Sequence, residues 1–551
     1  MTAYHPEKKS ISEILSTTNP VIVVPDWQRN YSWNTTHVET FWNDLEAFRE
    51  SGKVQSGGEY FLGSIVIVKT KDGKHLLLDG QQRIATSVIL LSVIRDWVRN
   101  YKADTATRTQ QKFIADLDDA TDTVVYKLTM NKYDREFFRR FISEDRTGGY
   151  TQPQPEFASH IAIKKARLFF EEVFKEKYAN FEAKQAYDWS LSVRHSLLDG
   201  MTVISVSSED EDSAADVFET LNDRGIGLST PDLLRNLVIR RAPDAHRELV
   251  VDLWQRVIEF DSDSEIKNFL RHYWISHYGD VKTQSLYRVM KSYILLHDVS
   301  SKELAERISD SSDVYKTIND ATAGTADANG YLETVKSLNA NILLPALLAA
   351  FETFDEPEAE QATKAFLVLY VRHSVICARE NSKLENEVYR MARELRTHKS
   401  LKRILQEIEA ALPSDEDVTR SFETLSINTN AVRRYLLVEI EKMKRATEEV
   451  EVAAPQKVHV EHVYPQTPTD TVRLPQHAAY VNRLGNLSLL AQRINTSIKN
   501  GTFAQKKERY SGSDLLLTRE LCQYEIWGVE EIEKRQKEMA KLVPKIWHIG
   551  D

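Results

Sequence analysis

The chain has 551 residues, a formal net charge of −10, 42% apolar residues and 28% charged residues. That length exceeds what one hydrophobic core usually fills and implies about two to four domains of ordinary folded composition. Net acidity argues against indiscriminate nucleic-acid binding but leaves room for a local basic groove; the two cysteines, Cys377 and Cys522, exclude a disulfide framework or a cysteine zinc site.

The first residues carry no apolar signal region, and no run of 18 uncharged apolar residues occurs, so a cytoplasmic protein without a membrane span is expected. Residues 21–25 are β-branched and end at Pro25, predicting a short strand or extended arm. Val38, Phe41, Trp42, Leu45 and Phe48 recur at helical offsets and predict an amphipathic helix over 36–49, capped by Asn34, Thr35 or Thr36. Residues 60–69 and 75–78 read as strands joined through the Asp72-Gly73 turn, and 84–101 as a strongly apolar helix. Residues 1–240 are therefore expected to form a mixed α/β domain.

Helical spacing follows over 157–198 and 214–224, with a strand at 201–205 between them. Leu228-Ser229-Thr230-Pro231-Asp232 opens a further helix, with Thr230 as cap and Pro231 in the first turn. Helices over 249–278, 284–296, 330–338, 342–351, 362–379, 385–410 and 418–444 make 241–445 a helical domain. Residues 321–330 and 411–417 are breaks, and 447–457, containing Pro455, is a linker into a last domain at 446–551. Acidic runs at 207–216 and 448–451 read as solvated; of the basic clusters, the one at 493–509 falls inside that last domain.

The last domain contains Val458-His459-Val460-Glu461-His462-Val463-Tyr464-Pro465-Gln466, then Asn482-Arg483-Leu484-Gly485-Asn486-Leu487-Ser488-Leu489-Leu490, with Asn495 nine residues beyond Asn486. A histidine suits proton abstraction from water near neutral pH, and a carboxylate with an amide oxygen suits a hard cation such as Mg²⁺ or Mn²⁺. One such ion can neutralise charge developing on a phosphodiester and its leaving oxygen. In this order and compass, the residues resemble the ββα-metal unit of HNH, or His-Me finger, nucleases over 458–510.

That resemblance implies His462 as general base, Glu461 and Asn495 as metal ligands, and Asn486 as the residue holding the histidine loop. The family more often has Asp where Glu461 stands, and the extra methylene changes the reach to the metal. Adjacent residues in a regular strand point to opposite faces; in the family a kinked strand end brings both to the phosphate. His459 reads as a strand residue or as support behind the ligands, and Lys499 and Lys506 as phosphate contacts or a solvated helix face. Without paired cysteines, packing by Leu484, Leu487, Leu489, Leu490 and Phe503 has to hold the unit.

Nearer the N-terminus come Pro25-Asp26-Trp27-Gln28-Arg29-Asn30-Tyr31-Ser32-Trp33, Phe61-Leu62-Gly63-Ser64-Ile65 and Leu78-Asp79-Gly80-Gln81-Gln82-Arg83-Ile84-Ala85-Thr86. A glycine between strand and helix permits a tight turn and leaves helix N–H groups open to phosphate. Gln28, Arg29, Gln81, Gln82 and Arg83 supply further donors, and Asp79 is placed to hold a cation or orient a water. The bland alternative has Asp79 and Arg83 pairing locally while Trp27 and Trp33 fill a core. Tyr31 and Trp33 equally suit a core or an aromatic wall for a DNA modification. No Gly-Lys-Ser/Thr loop occurs, which argues against a P-loop motor.

These motifs, continued by Asn222-Asp223-Arg224 and by 228–236, resemble the N-terminal domain of GmrSD-type restriction proteins. The resemblance implies a multidomain fold, α/β plus mostly α: a ParB/sulfiredoxin-like nucleotide-binding and sensing domain, a helical middle region and a C-terminal HNH nuclease. It implies a nucleotide-regulated, modification-dependent (Type IV) DNA endonuclease of antiphage defence, with ATP or GTP and Mg²⁺ or Mn²⁺ as cofactors, modified phage DNA as partner, and room for a homodimer. The rivals are a nickase indifferent to modification and a nucleotide-switched DNA-binding regulator that does not cut.

Overall fold

A computed structural model describes residues 5–16, 21–69, 74–118, 121–146, 150–208, 229–260, 262–445, 458–468, 474, 476–491 and 502–550. The chain divides into two compact units, Met1–Asp252 with Ser300–Lys302, and Leu253–Val299 with Glu303–Asp551. The helix Asn430–Arg445 packs on both C-terminal strands, Val458–His462 and Leu487–Ala491.

The first unit is built on a six-stranded mixed sheet. Its strands are β1 (His5–Ser10), β2 (Ile22–Val23), β3 (Tyr60–Lys69), β4 (His75–Asp79), β7 (Leu128–Thr129) and β8 (Met201–Ser208), in the order β1-β8-β3-β4-β2-β7. Strands β5 (Ala115–Asp118) and β6 (Thr123–Tyr126) form a separate hairpin. As expected, β3 and β4 pair antiparallel; a register shift between Val66 and Ile67 lies beside Asp79. The helix Thr35–Glu50 is capped by Asn34, whose side chain accepts from His37 N, and it buries all five apolar residues of the predicted stripe.

The helix Gln81–Arg99 is the centre of this unit. Ile84, Val88, Ile89, Leu90, Leu91, Val93, Ile94 and Val98 leave it apolar around most of its circumference, so it is buried rather than amphipathic. Its charged members are paired inside: Arg95 Nε donates to Asp96 at 2.8 Å, and Arg167 donates to Asp96, Ser92 and Glu171. Hydrogen-bonded pairing of this kind is what permits guanidinium groups to sit in a core.

The second unit is largely helical, and several expected helices are shorter there. The helix expected over 249–278 is two, Asp244–Val257 and Asp263–His277, because the Ser262 side chain caps the second by accepting from Glu265 N. The 385–410 run breaks at Lys399, with φ of 47°, and Ser400, giving Asn381–His398 and Leu401–Ala411. The 418–444 run becomes Asp415–Phe422 and Asn430–Arg445. Ser301–Asn319 is a helix the periodicity missed, since the buried Ser309, Ser311 and Ser312 interrupt its apolar stripe. In the first unit the cap of Thr230–Arg241 is Ser229 rather than Thr230, because the Ser229 hydroxyl reaches Asp232 N. The helix expected over 214–224 lies outside the described residues. No described helix is long and apolar enough to cross a membrane.

Burial raises the Asp96 carboxyl, and Arg95 and Arg167 outweigh that, so its folded pKa falls below the ordinary 3.8. Its stabilising contribution is therefore complete above that value and is lost as the pH falls through the folded one. Asp96→Asn should lower stability by about 3 kcal/mol at pH 7 by leaving two buried guanidinium groups under-compensated. Melting curves should show the gap to wild type narrowing as the pH drops below 3.8; a constant gap would contradict the assignment.

Candidate functional site

In the C-terminal part, β9 (Val458–His462) pairs antiparallel with β10 (Leu487–Ala491), setting His462 opposite Leu487 and Glu461 opposite Ser488. The helix Phe503–Tyr510 follows, started by a capping box between Thr502 and Gln505. Two helix residues reach back to the strand. Lys506 Nζ donates to Glu461 Oε1 at 2.7 Å and to the His462 carbonyl at 2.6 Å, and the Tyr510 hydroxyl donates to the same Oε1 at 3.0 Å. Glu461 and Lys506 are only 7% and 1% exposed. The expectation of Lys506 as a solvated or phosphate-facing group is thus corrected: its ammonium is turned inward and committed to the strand. All these contacts fall on Oε1 of Glu461 and leave Oε2 without a hydrogen bond among the described residues.

His462 takes different neighbours from Glu461. Its Nε2 lies 3.3 Å from Asn482 Oδ1 and 3.3 Å from Gln466 Nε2, and Asn482 is itself held by Asn428 at 2.8 Å. Partial burial lowers the imidazole pKa to about 4; the Asn482 contact opposes this, and the charges of Arg433 and Lys506 reinforce it. A neutral ring at pH 7 can accept a proton, and Asn482 Oδ1 can then accept a hydrogen bond from the imidazolium.

Asn486 is fully buried and uses its whole amide. Oδ1 accepts from Tyr464 N at 2.7 Å and Trp527 Nε1 at 3.0 Å, while Nδ2 donates to the carbonyls of Tyr464 and Val481 at 3.0 Å. It therefore pins the chain two residues after His462 and acts by positioning. Beside it, Gly485 lets the helix Val529–Ala540 approach closely, since a Cβ there would stand 2.2 Å from the Ile532 carbonyl. From that helix, Arg535 donates to the carbonyls of Gly485 and Leu487 and fixes the entry into β10. Leu484, Leu487, Leu489 and Leu490 are all fully buried, and Phe503 packs against the small cluster of Val463, Leu490, Tyr510 and Leu521. Asn495 and Lys499 lie outside the described residues.

The N-terminal motifs converge around Gly80. Its φ of 84° and a Cβ position only 2.4 Å from Ile65 restrict this turn to glycine, and no side chain caps the helix that it starts. Asp79 Oδ1 accepts from Gly80 N at 2.7 Å; burial raises this carboxyl, partly offset by Arg83, the Gly80 N–H and Arg29. Gln28 donates to the Leu78 carbonyl, Gln81 to that of Arg29, Gln82 to that of Asn30, and Arg83 to that of Ser64. These side chains thus stitch the Pro25–Trp33 stretch and β3 to the start of the helix. Tyr31 takes the core alternative, 1% exposed with its hydroxyl on Thr86, and Trp33 packs against the same core.

Sequence reasoning passed over the helix Thr230–Arg241 as part of this cluster. Asp232 pairs with Arg29 at 3.5 Å. Arg235 is fully buried, its Nε and Nη1 have no hydrogen-bond partner among the described residues, and burial lowers its pKa to about 10. Asn236 Nδ2 and Gln81 Oε1 are likewise buried without partners. The orphaned donors of Arg235 and Asn236 are uncommon in a finished core and suit an anion, whereas the Gln81 oxygen is an acceptor. Periodicity could not single them out, since Arg235 and Asn236 occupy ordinary inward helix positions. Asn222, Asp223 and Arg224 lie outside the described residues.

Two family models match the chain. The GmrSD restriction endonuclease N-terminal domain covers residues 11–239, and the GmrSD restriction endonuclease C-terminal domain covers residues 412–542. No curated protein matches. The first match takes in every strand of the sheet except β1, the Gly80 turn and most of the Arg235 helix; the second begins just before the helix Asp415–Phe422 and takes in β9, β10 and the residues around His462. With most of its length covered by the two halves of one system, the chain belongs to the GmrSD restriction endonuclease family.

Proposed function

We propose that the protein is a modification-dependent DNA endonuclease of antiphage defence, which hydrolyses phosphodiesters with a divalent metal at an HNH-type site and is regulated by nucleotide. The family carries a restriction endonuclease role, and DNA is the substrate of such an enzyme. The observation that supports the finer reading is a neutral imidazole on the residue next to a carboxylate with one oxygen unbonded among the described residues.

That leftover oxygen, Glu461 Oε2, fits a hard cation, and Asn495 is proposed as the second protein ligand by resemblance. A bound Mg²⁺ or Mn²⁺ supplies neutralisation of charge on the phosphate and the leaving oxygen. His462 takes the proton of the attacking water at Nε2, and Asn482 Oδ1 then receives a hydrogen bond from the ring. Asn486 holds the turn that keeps this ring in place. In the other unit, the open helix start at Gly80 and the unpartnered donors of Arg235 and Asn236 favour the phosphates of ATP or GTP, with Gln28, Arg29, Asp79, Gln81, Gln82 and Arg83 shaping the pocket.

The test is a panel of phage DNAs carrying different modifications, incubated with Mg²⁺, with and without ATP or GTP. Cutting confined to one modified class and dependent on nucleotide is expected. Equal cutting of unmodified DNA would favour an indiscriminate nickase, and binding without any cutting would favour a regulator. Two variants separate chemistry from positioning. His462→Ala should reduce cutting by about 10²–10⁴-fold while leaving the melting temperature and nucleotide binding unchanged. Asn486→Ala should also lose cutting, but with a stability loss of about 2–4 kcal/mol from orphaned buried groups. Wild-type cutting by His462→Ala would remove it as the base.

A further inference from the structure

The C-terminal site presents one carboxylate that is already compensated. Glu461 shares its charge with the ammonium of Lys506, buried at 2.7 Å and anchored a second time on the His462 carbonyl. Tyr510 takes a further share of the same oxygen. The described residues form no group of three or more His, Cys, Asp and Glu able to hold a metal. The remaining charge noted at His462 is that of Arg433, again positive. Affinity for a hard divalent ion rises with the negative charge of its ligands. Here the described groups bring Glu461 at −1 against Lys506 and Arg433 at +1 each, and a buried ammonium is little screened by salt.

We infer that the site holds its divalent ion weakly by itself and takes it up together with the DNA phosphate, because Lys506 cancels the charge of Glu461 until the phosphate supplies a new one. This rests on the nuclease reading above. Lys506 is a positioning and charge-setting residue rather than a catalytic one. It fixes Glu461 Oε1 to the helix Phe503–Tyr510, so that Oε2 would be the oxygen to hold a metal, and it keeps a positive charge beside the carboxylate. By linkage, metal and DNA must then raise each other's affinity by the same factor.

The experiment uses the full chain with His462→Ala, so that nothing is consumed. Mn²⁺ is titrated by electron paramagnetic resonance without and with a DNA duplex that the wild type cuts, and the ion taken by DNA alone is subtracted. Mn²⁺ affinity should rise by about tenfold or more when DNA is present, and DNA affinity should rise equally with Mn²⁺. Adding Lys506→Met should raise the DNA-free Mn²⁺ affinity by about tenfold and shrink the coupling, while Lys506→Arg should behave as the parent. Equal Mn²⁺ affinity with and without DNA would overturn the inference, as would a folded Lys506→Met variant that binds Mn²⁺ no more tightly. If Lys506→Met does not fold, the titration with Lys506 intact decides. Failure of the wild type to cut any DNA with metal would instead defeat the nuclease reading; cutting with DNA-independent Mn²⁺ binding would defeat only this inference.

Discussion

The ion pair between Lys506 and Glu461 ties the helix Phe503–Tyr510 to the end of β9, and the geometry of the C-terminal site depends on it. A buried pair is expensive to desolvate and is retained only when other bonds complete it. Here the Tyr510 hydroxyl and the His462 carbonyl complete it. The same ammonium that orients the carboxylate also holds the backbone of the neighbouring histidine. One contact thereby sets the positions of two groups that a regular strand would send apart.

Around that contact, buried polar groups fix the backbone. Asn486 spends its whole amide on the turn after His462, and Arg535 spends its donors on the strand that follows. Glu441, on the helix Asn430–Arg445, accepts from Leu516 N and Leu517 N at 2.8 Å. This is why the helices before residue 446 belong to the C-terminal unit, in agreement with a family match that starts at residue 412. The N-terminal unit solves a different problem: a central helix buried on most sides begins, without a side-chain cap, at Gly80, directly after the inner strand β4.

Much of this was legible in the residues. The stripe of Val38, Phe41, Trp42, Leu45 and Phe48 and the strand Tyr60–Lys69 were readable because a single period or a turn signal governs each, while the strands β9 and β10 were expected only by resemblance. The helix boundaries in the second unit were not, because they are set by serine caps and by Lys399 in the left-handed region, which do not disturb the apolar spacing. In the site, residue types identified His462, Glu461 and Asn486 by resemblance, while partners did not follow from type. A lysine on a helix face is ordinarily solvated, and only the fold turns Lys506 inward. Arg235 and Asn236 were hidden for the converse reason, as inward helix positions are read as core.

The proposed function requires a divalent ion and an imidazole to act on one phosphate at the end of β9. The most direct measurement is the anomalous signal of Mn²⁺ in crystals of the His462→Ala protein bound to uncut DNA. The account predicts an ion on Glu461 Oε2, bridging to a phosphate oxygen, with Lys506 still on Oε1. An ion bound elsewhere in the chain, or one that displaces Lys506 from Glu461, would contradict it.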